Sequence, residues 1–240
     1  MSGLLDQVLD AHGGLDRWHN ARRLVVSGRI GGELWGRRGQ EGILRDARME
    51  INPHAQHLVF RDYTAPGRRG VFDVPRAAIK TGSGEVIEER TDPGAALAGQ
   101  TTTSPWDHLS VVYAAGFDLW GYFTTPFALA MPGVRTEEIE PWEEAGEQWR
   151  RLKATFPDGF AAHATEQVYS FNSAGLLRRF EYQPRHTGVP ANVNYAAEHK
   201  QFAGIVIGTR RRMVAGDPDG RSRREPALMT VDVVDVQVET

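Results

Sequence analysis

The 240 residues predict a mainly β (α+β) fold: one large curved antiparallel sheet, an N-terminal helix, and a helical insert at about residues 105–131. Three observations predict it. Short runs alternate apolar with polar residues, tight-turn sequences separate those runs, and the spacing becomes helical at the start and in mid-chain. A β-rich chain of this length is read as a single domain, 1–240.

Ser2 is placed to cap a helix over residues 3–12, with Leu4, Leu5, Val8 and Leu9 on one stripe and Gly13-Gly14 as the stop. A short turn, LDRWHNA, follows. The period then changes to that of strands in RRLVVSGRIGGELWG, QEGILRDARMEI, HAQHLVFRDY and GRRGVFDV, with turns at Asn52-Pro53 and Ala65-Pro66-Gly67. Residues 91–104 are small and polar and read as a loop. Ser104-Pro105-Trp106-Asp107 then has the form of a helix start. Pro126 ends that helix, and Thr125 is placed to cap a second, FALAM, which Pro132-Gly133 stops.

Strands resume in VRTEEIEPW, EQWRRLKATF, HATEQVYSF, LLRRFEYQP, NVNYAAEHKQF, GIVIGTRRRMV and PALMTVDVVDVQVE. The turns fall at Glu144-Ala145-Gly146, Pro157-Asp158-Gly159, Asn172–Gly175 and Asp217–Gly220. About ten or eleven strands result; so wide a sheet must curl or split, and helices plugging its concave face are the simplest cover.

Composition excludes several functions. Apolar residues make up 40% and charged residues 25%, with net charge −3 and no cysteine. That is globular, lacks a basic field for nucleic acid, and rules out disulfide and thiolate chemistry. Asp6 and Asp10 interrupt the apolar start, so no secretory signal is read and a cytoplasmic location is expected. The uncharged run LWGYFTTPFALAMPGV, residues 119–134, is broken by Pro126 and Pro132 and preceded by Asp118. A membrane helix needs roughly 20 predominantly apolar residues; with Gly116 and Gly121 loosening it as well, the stretch would span in length only, so no integral membrane segment is expected.

The element order resembles the LolA/LppX-like half-barrels, the lipoprotein-localisation-factor fold: an opening helix ending AHGGLDRW, strands, a helical insert, then strands to the end. That resemblance implies a curved sheet around a helical plug with an apolar cavity for acyl chains. More closely, LWGYFTTPFALAMPGV, EEIEPWEEAGEQWRRLKATFP, HATEQVYSF, GLLRRFEY and YAAEHKQFAGIVIGTRRRMV resemble a bacterial and fungal family that carries no assigned reaction, over residues 104–238. It implies no catalytic residues. The sequence departs from the exported carriers in having no export signal.

No cofactor is expected: GxSxG, SxxK, phosphate-loop and dinucleotide fingerprints are all missing. No metal site is expected either, because His54 and His57, three apart in a strand, would point to opposite faces. Three titratable residues stand on consecutive predicted strands: His163, Glu181 and His199. By alternation His199 shares a face with Tyr195 and Ala197, and His163 with Tyr169, whereas Glu181 is opposite in parity to Phe180 and Tyr182. The histidines are either ordinary hydrogen-bonded groups or an acid–base pair. Alternation also turns at least one arginine of Thr209-Arg210-Arg211-Arg212 inward, with Arg210 the candidate for an acidic head group and Glu181 an alternative partner. Arg221, Arg223 and Arg224 read as surface.

Two functions follow as expectations. One is binding of a hydrophobic small molecule or lipid, lined by Tyr113, Trp120, Tyr122, Phe123, Phe127, Tyr169, Tyr195 and Arg210. The other is a cofactor-independent enzyme of cyclase, isomerase or hydrolase type using His163, His199 and Glu181 in the same cavity. The sequence leaves oligomeric state open.

Overall fold

The computed structural model describes residues 3–98, 100–162, 164–183, 191–217, 220–222 and 225–240. Ser2, His163, Arg223, Arg224 and part of the Asp217–Gly220 turn lie outside them. Contacts gather into two compact units, Met1–Asn20 with Thr124–Leu228 and Ala21–Phe123 with Met229–Thr240.

In the first unit, α1 (Leu4–Ala11) and α2 (Leu15–Asn20) precede everything else. Gly3 stands at the N-cap of α1, and its N–H donates to Asp6 Oδ2 at 3.1 Å. Leu4, Val8 and Leu9 form the buried stripe. Gly13 takes a φ of 117°, which lets the backbone pass against Gly204 where a Cβ would collide with its carbonyl. A short 3-10 turn, Phe127–Ala130, stacks Phe127 on Trp18 with ring centroids 4.2 Å apart. The rest is a meander of β7 (Arg135–Glu144), β8 (Glu147–Thr155), β9 (Glu166–Phe171), β10 (Leu177–Tyr182), β11 (Asn192–Phe202) and β12 (Ile205–Ala215).

The second unit contains β1 (Arg23–Gly31), β2 (Ala47–Asn52), β3 (His57–Arg61), β4 (Arg69–Asp73), β5 (Arg76–Lys80), β6 (Val86–Arg90) and β13 (Met229–Glu239). Among them are three helices, α3 (Glu33–Arg37), α4 (Pro93–Leu97) and α5 (His108–Thr124). β1 pairs with both β2 and β13. A bulge opposite Ser27 and Gly28 skips Val234, which explains why that valine is 68% exposed in an otherwise alternating strand. Leu24, Val26, Met49, Ile51, Leu58, Phe60 and Phe72 are buried on one face, and each such side chain contributes about 1.5–3 kcal/mol. α5 lies on that face. Tyr63 Oη donates to the His108 carbonyl at 2.8 Å, Trp120 Nε1 donates to the Asn52 carbonyl at 2.9 Å, and Gly116 abuts Phe72.

Hydrogen bonding orders the strands β6-β5-β4-β3-β2-β1-β13-β12-β11-β10-β9-β8-β7, thirteen in one antiparallel sheet. This is the mainly β class expected. Two more strands occur than the sequence indicates because β5 and β6 are short, and β6 lies exposed at the edge without alternation. Three further differences are local. RRLVVSGRIGGELWG is strand only to Gly31, where Gly32 at φ 107° turns the chain into α3. Residues 91–104 contain α4, capped by Asp92 through the Ala95 N–H. α5 is capped by Asp107, whose Oδ1 accepts the Ser110 N–H at 2.8 Å, whereas Ser104 Oγ accepts from Thr101 N–H. Asp107 is anchored there by Arg90 at 2.6 Å, which holds its carboxyl well below the usual range. Among the described residues no helix is long and apolar enough to cross a membrane.

Candidate functional site

Pairing across β9, β10 and β11 sets two faces in the first unit. Phe180 stands opposite Tyr169 and Asn194, while Arg179 stands opposite Tyr195. Each face holds a buried polar group.

The first centres on His12, at the C-terminal cap of α1. Its Nδ1 lies 2.8 Å from the Val8 carbonyl, so Nδ1 carries the proton and Nε2 is left as an acceptor. His199 meets it edge to face, centroids 6.1 Å apart. Glu198 at φ 53° interrupts the alternation of β11, so His199 stands against His12, away from Tyr195, whose hydroxyl goes to Glu144. The His199 ring bonds the Leu177 backbone, and its Nε2 is buried with no hydrogen-bond partner among the described residues. Burial lowers both imidazoles to about 4, with the Arg211 charge adding to the effect. Arg211 is 3% exposed and is the inward arginine of its run. Tyr169 lies in the same interior, its Oη donating to Gln167 Oε1 at 2.9 Å and its ring stacked on Phe180.

Two rings of such low basicity are poor proton acceptors at neutral pH. They fit a neutral hydrogen-bonded interior better than proton transfer. A pH dependence of stability follows. The folded pKa lies below the unfolded value, so the stabilisation is complete above pH 6.5 and is lost as pH falls toward about 4. His12 alone is expected to contribute a loss of about 3 kcal/mol over that window. His12→Asn keeps a donor for Val8 and should flatten the urea midpoint against pH; an unchanged slope would assign the loss elsewhere.

The second group lies on the opposite face. Arg179 is 1% exposed. Its Nη1 donates to Glu144 Oε2 at 3.0 Å, and its Nη2 donates to both Glu181 and the Gly220 carbonyl. The guanidinium stacks over Trp142, 4.9 Å from the ring centroid, and lies 5.9 Å from that of Tyr195. Tyr195 Oη donates to Glu144 Oε1 at 2.7 Å and meets Ser222 Oγ at 2.6 Å. Glu181 is therefore the partner of Arg179 and turns away from Phe180 and Tyr182, as its parity requires.

The remaining expected residues are dispersed. Arg210 is exposed and pairs with Glu198 at 3.1 Å, because Arg211 takes the inward position. Trp120, Tyr122 and Phe123 are buried on α5, and Phe127 is buried on Trp18. Tyr113 is half-buried between Phe72 and Phe117, near α4. His54 Nε2 meets the Ala21 carbonyl and His57 faces Asp73, so the two histidines do not converge. Among the described residues no group of His, Asp and Glu side chains could hold a metal ion. A surface pocket of about 610 Å³ sits at the α1–α2 corner, with Asp6, Asp10 and Asp16 in its walls. His12, Arg179 and Arg211 were not singled out in the sequence; only the Arg179–Glu181 spacing, two apart on one strand face, signals such a pair.

This architecture is shared with known structures. A DUF1329 family protein from Desulfovibrio piger is 11% identical over 99% of this chain and 92% of its own, with a TM-score of 0.56. A LolA superfamily protein from Nitrosomonas europaea is 10% identical over 98% and 92%, at 0.54. A domain described as an outer membrane lipoprotein-sorting protein, from Vibrio parahaemolyticus, is 11% identical over 99% and 91%, at 0.53. The chain thus has a LolA-like fold. No family model and no curated protein matches the sequence, and at these identities the likeness is one of fold alone.

Proposed function

We propose that the protein binds a hydrophobic small molecule or a lipid. The observation that carries this reading is the character of α5. Of its seventeen residues, only Asp118 is acidic, and none is Lys or Arg. Leu109, Val111, Val112, Ala115, Leu119, Trp120, Tyr122 and Phe123 are buried around more than one side of it. A helix that covers one sheet face needs a single apolar stripe; one that is apolar all round has a second apolar surface to satisfy. That second surface is the side of Tyr113, Ala114 and Phe117, which stay only half-buried, and an acyl chain or a flat apolar metabolite would lie against it. The lipoprotein-sorting description of one fold neighbour agrees with a ligand of that kind.

Native mass spectrometry of the freshly purified protein is expected to show a co-purified apolar molecule. After delipidation, the folded protein should take up fatty acids or an apolar dye. Folded, delipidated protein that takes up neither would overturn the reading.

A further inference from the structure

The strands of the second unit carry a row of cations on the face opposite α5. Arg48 stands directly opposite Arg61, Arg61 opposite Arg69, and Arg69 opposite Lys80. Residues in register on neighbouring antiparallel strands have Cβ atoms about 4.5–5.5 Å apart, and like charges so placed repel. The row thus runs across four strands at a cost to stability, in a chain whose net charge is −3.

The compensation is incomplete. Glu50 neutralises Arg61, whose Nε donates to its Oε1 at 2.7 Å, and it shares that carboxylate with Arg23. Asp62 Oδ1 is engaged by the Gly67 N–H at 2.7 Å. Among the described residues the side chains of Arg48, Arg68, Arg69 and Lys80 have neither an acidic partner nor a hydrogen bond. The arginines are also shaped into a concavity. Arg48, Arg61, Arg68 and Arg69 wall a pocket of about 410 Å³, with Glu50, Asp62, Gly67 and Gly82 completing it. The turn that ends at Arg68 is held by two left-handed non-glycine residues, Asp62 at φ 51° and Thr64 at φ 61°. Gly82 packs so close to the Gly67 carbonyl that a Cβ there would lie 3.1 Å from it. The floor of the pocket is therefore backbone, and its walls are guanidinium groups, whose planar forks suit phosphate oxygens.

We infer that this pocket is a binding site for a phosphate-bearing anion, with Arg48, Arg68 and Arg69 as its ligating groups and Lys80 at its margin. The phosphate would come from a soluble phosphate ester or from a lipid head group.

Titration calorimetry with glycerol phosphate at constant ionic strength tests the first source. Co-sedimentation with phosphatidylcholine vesicles, with and without phosphatidylglycerol, tests the second. Wild-type protein is expected to bind in at least one arm, and Arg48→Gln/Arg69→Gln to lose at least tenfold in affinity there. Arg22→Gln/Arg135→Gln, which removes the same charge from exposed positions elsewhere, should bind as wild type. Without ligand, Arg48→Gln/Arg69→Gln should melt no lower than wild type, since it relieves repulsion. Binding of glycerol phosphate alone assigns a soluble ester; binding of phosphatidylglycerol vesicles through the same arginines assigns a head group. No binding in either arm, or equal binding by both double variants, would overturn the inference.

Discussion

Arg179→Ala is expected to destabilise the first unit by about 3–5 kcal/mol, because removing one member of a buried ion pair leaves the others without a partner. Here two carboxylates lose their cation, although Glu144 keeps the hydrogen bonds from Tyr195 and Trp142. Glu144 and Glu181 keep their charges at 18% and 22% exposure, and the Gly220 carbonyl loses its donor. Trp142 also loses the plane stacked on it. Arg179→Lys retains the charge but not the fork that reaches three acceptors, so it should fall between wild type and alanine. Adding Glu144→Gln and Glu181→Gln to Arg179→Met should recover part of the loss, since no buried charge remains. Urea unfolding followed by tryptophan fluorescence measures all of these. A loss under about 1 kcal/mol for alanine would show that the cluster is solvated and that the segment at Gly220–Ser222 does not cover it.

Gly116→Val should cost about 3 kcal/mol or more through overpacking in the second unit. A side chain at Gly116 would overlap Phe72 Cβ and lie 2.7 Å from its Cγ, between two regular elements that cannot both retreat. The contact at Gly70 is of the same kind, with Val112 Cγ2 2.8 Å from where a Cβ would stand. The contrast is Gly121 on the same helix. Nothing lies within 4 Å of its Cβ position, so Gly121→Ala should stabilise by up to about 1 kcal/mol through helix propensity. Thermal melts of the two variants should move in opposite directions. A Gly116→Val protein that melts like wild type would mean that α5 can lift from β4 freely.

The second half of the sheet was legible because its turns are written in local chemistry. Asn172 Oδ1 accepts from the Ala174 and Leu176 N–H groups, and Gly175 takes the left-handed φ that closes the turn. Ala145-Gly146 does the same between β7 and β8. β5 and β6 lack that definition: one is an apolar triplet between Arg76 and Lys80, the other an edge strand with Val86 and Ile87 exposed. The site was less legible because its determinants are far apart in the chain. His12 reads as the frayed end of a helix until His199 meets it, and a single left-handed residue, Glu198, decides which face His199 takes. Alternation correctly required one inward arginine in the Thr209–Arg212 run, but parity alone did not say that it is Arg211. Arg179 gives no local sign of burial, because nothing near it in sequence reveals that residues 220–222 return to cover it.

The pairing of β1 with β13 has a kinetic meaning. Arg23 and Glu239 face each other across 216 positions of chain, whereas the other ladders within each unit join strands adjacent in sequence. Closing so long a loop costs about 2–3 kcal/mol more chain entropy than closing a hairpin. During synthesis β1 can pair with β2 early, but its other edge must wait for almost the entire chain. Over that interval a strand with Leu24 and Val26 on its apolar face presents an open row of backbone donors and acceptors, and the nascent molecule is most vulnerable to association there.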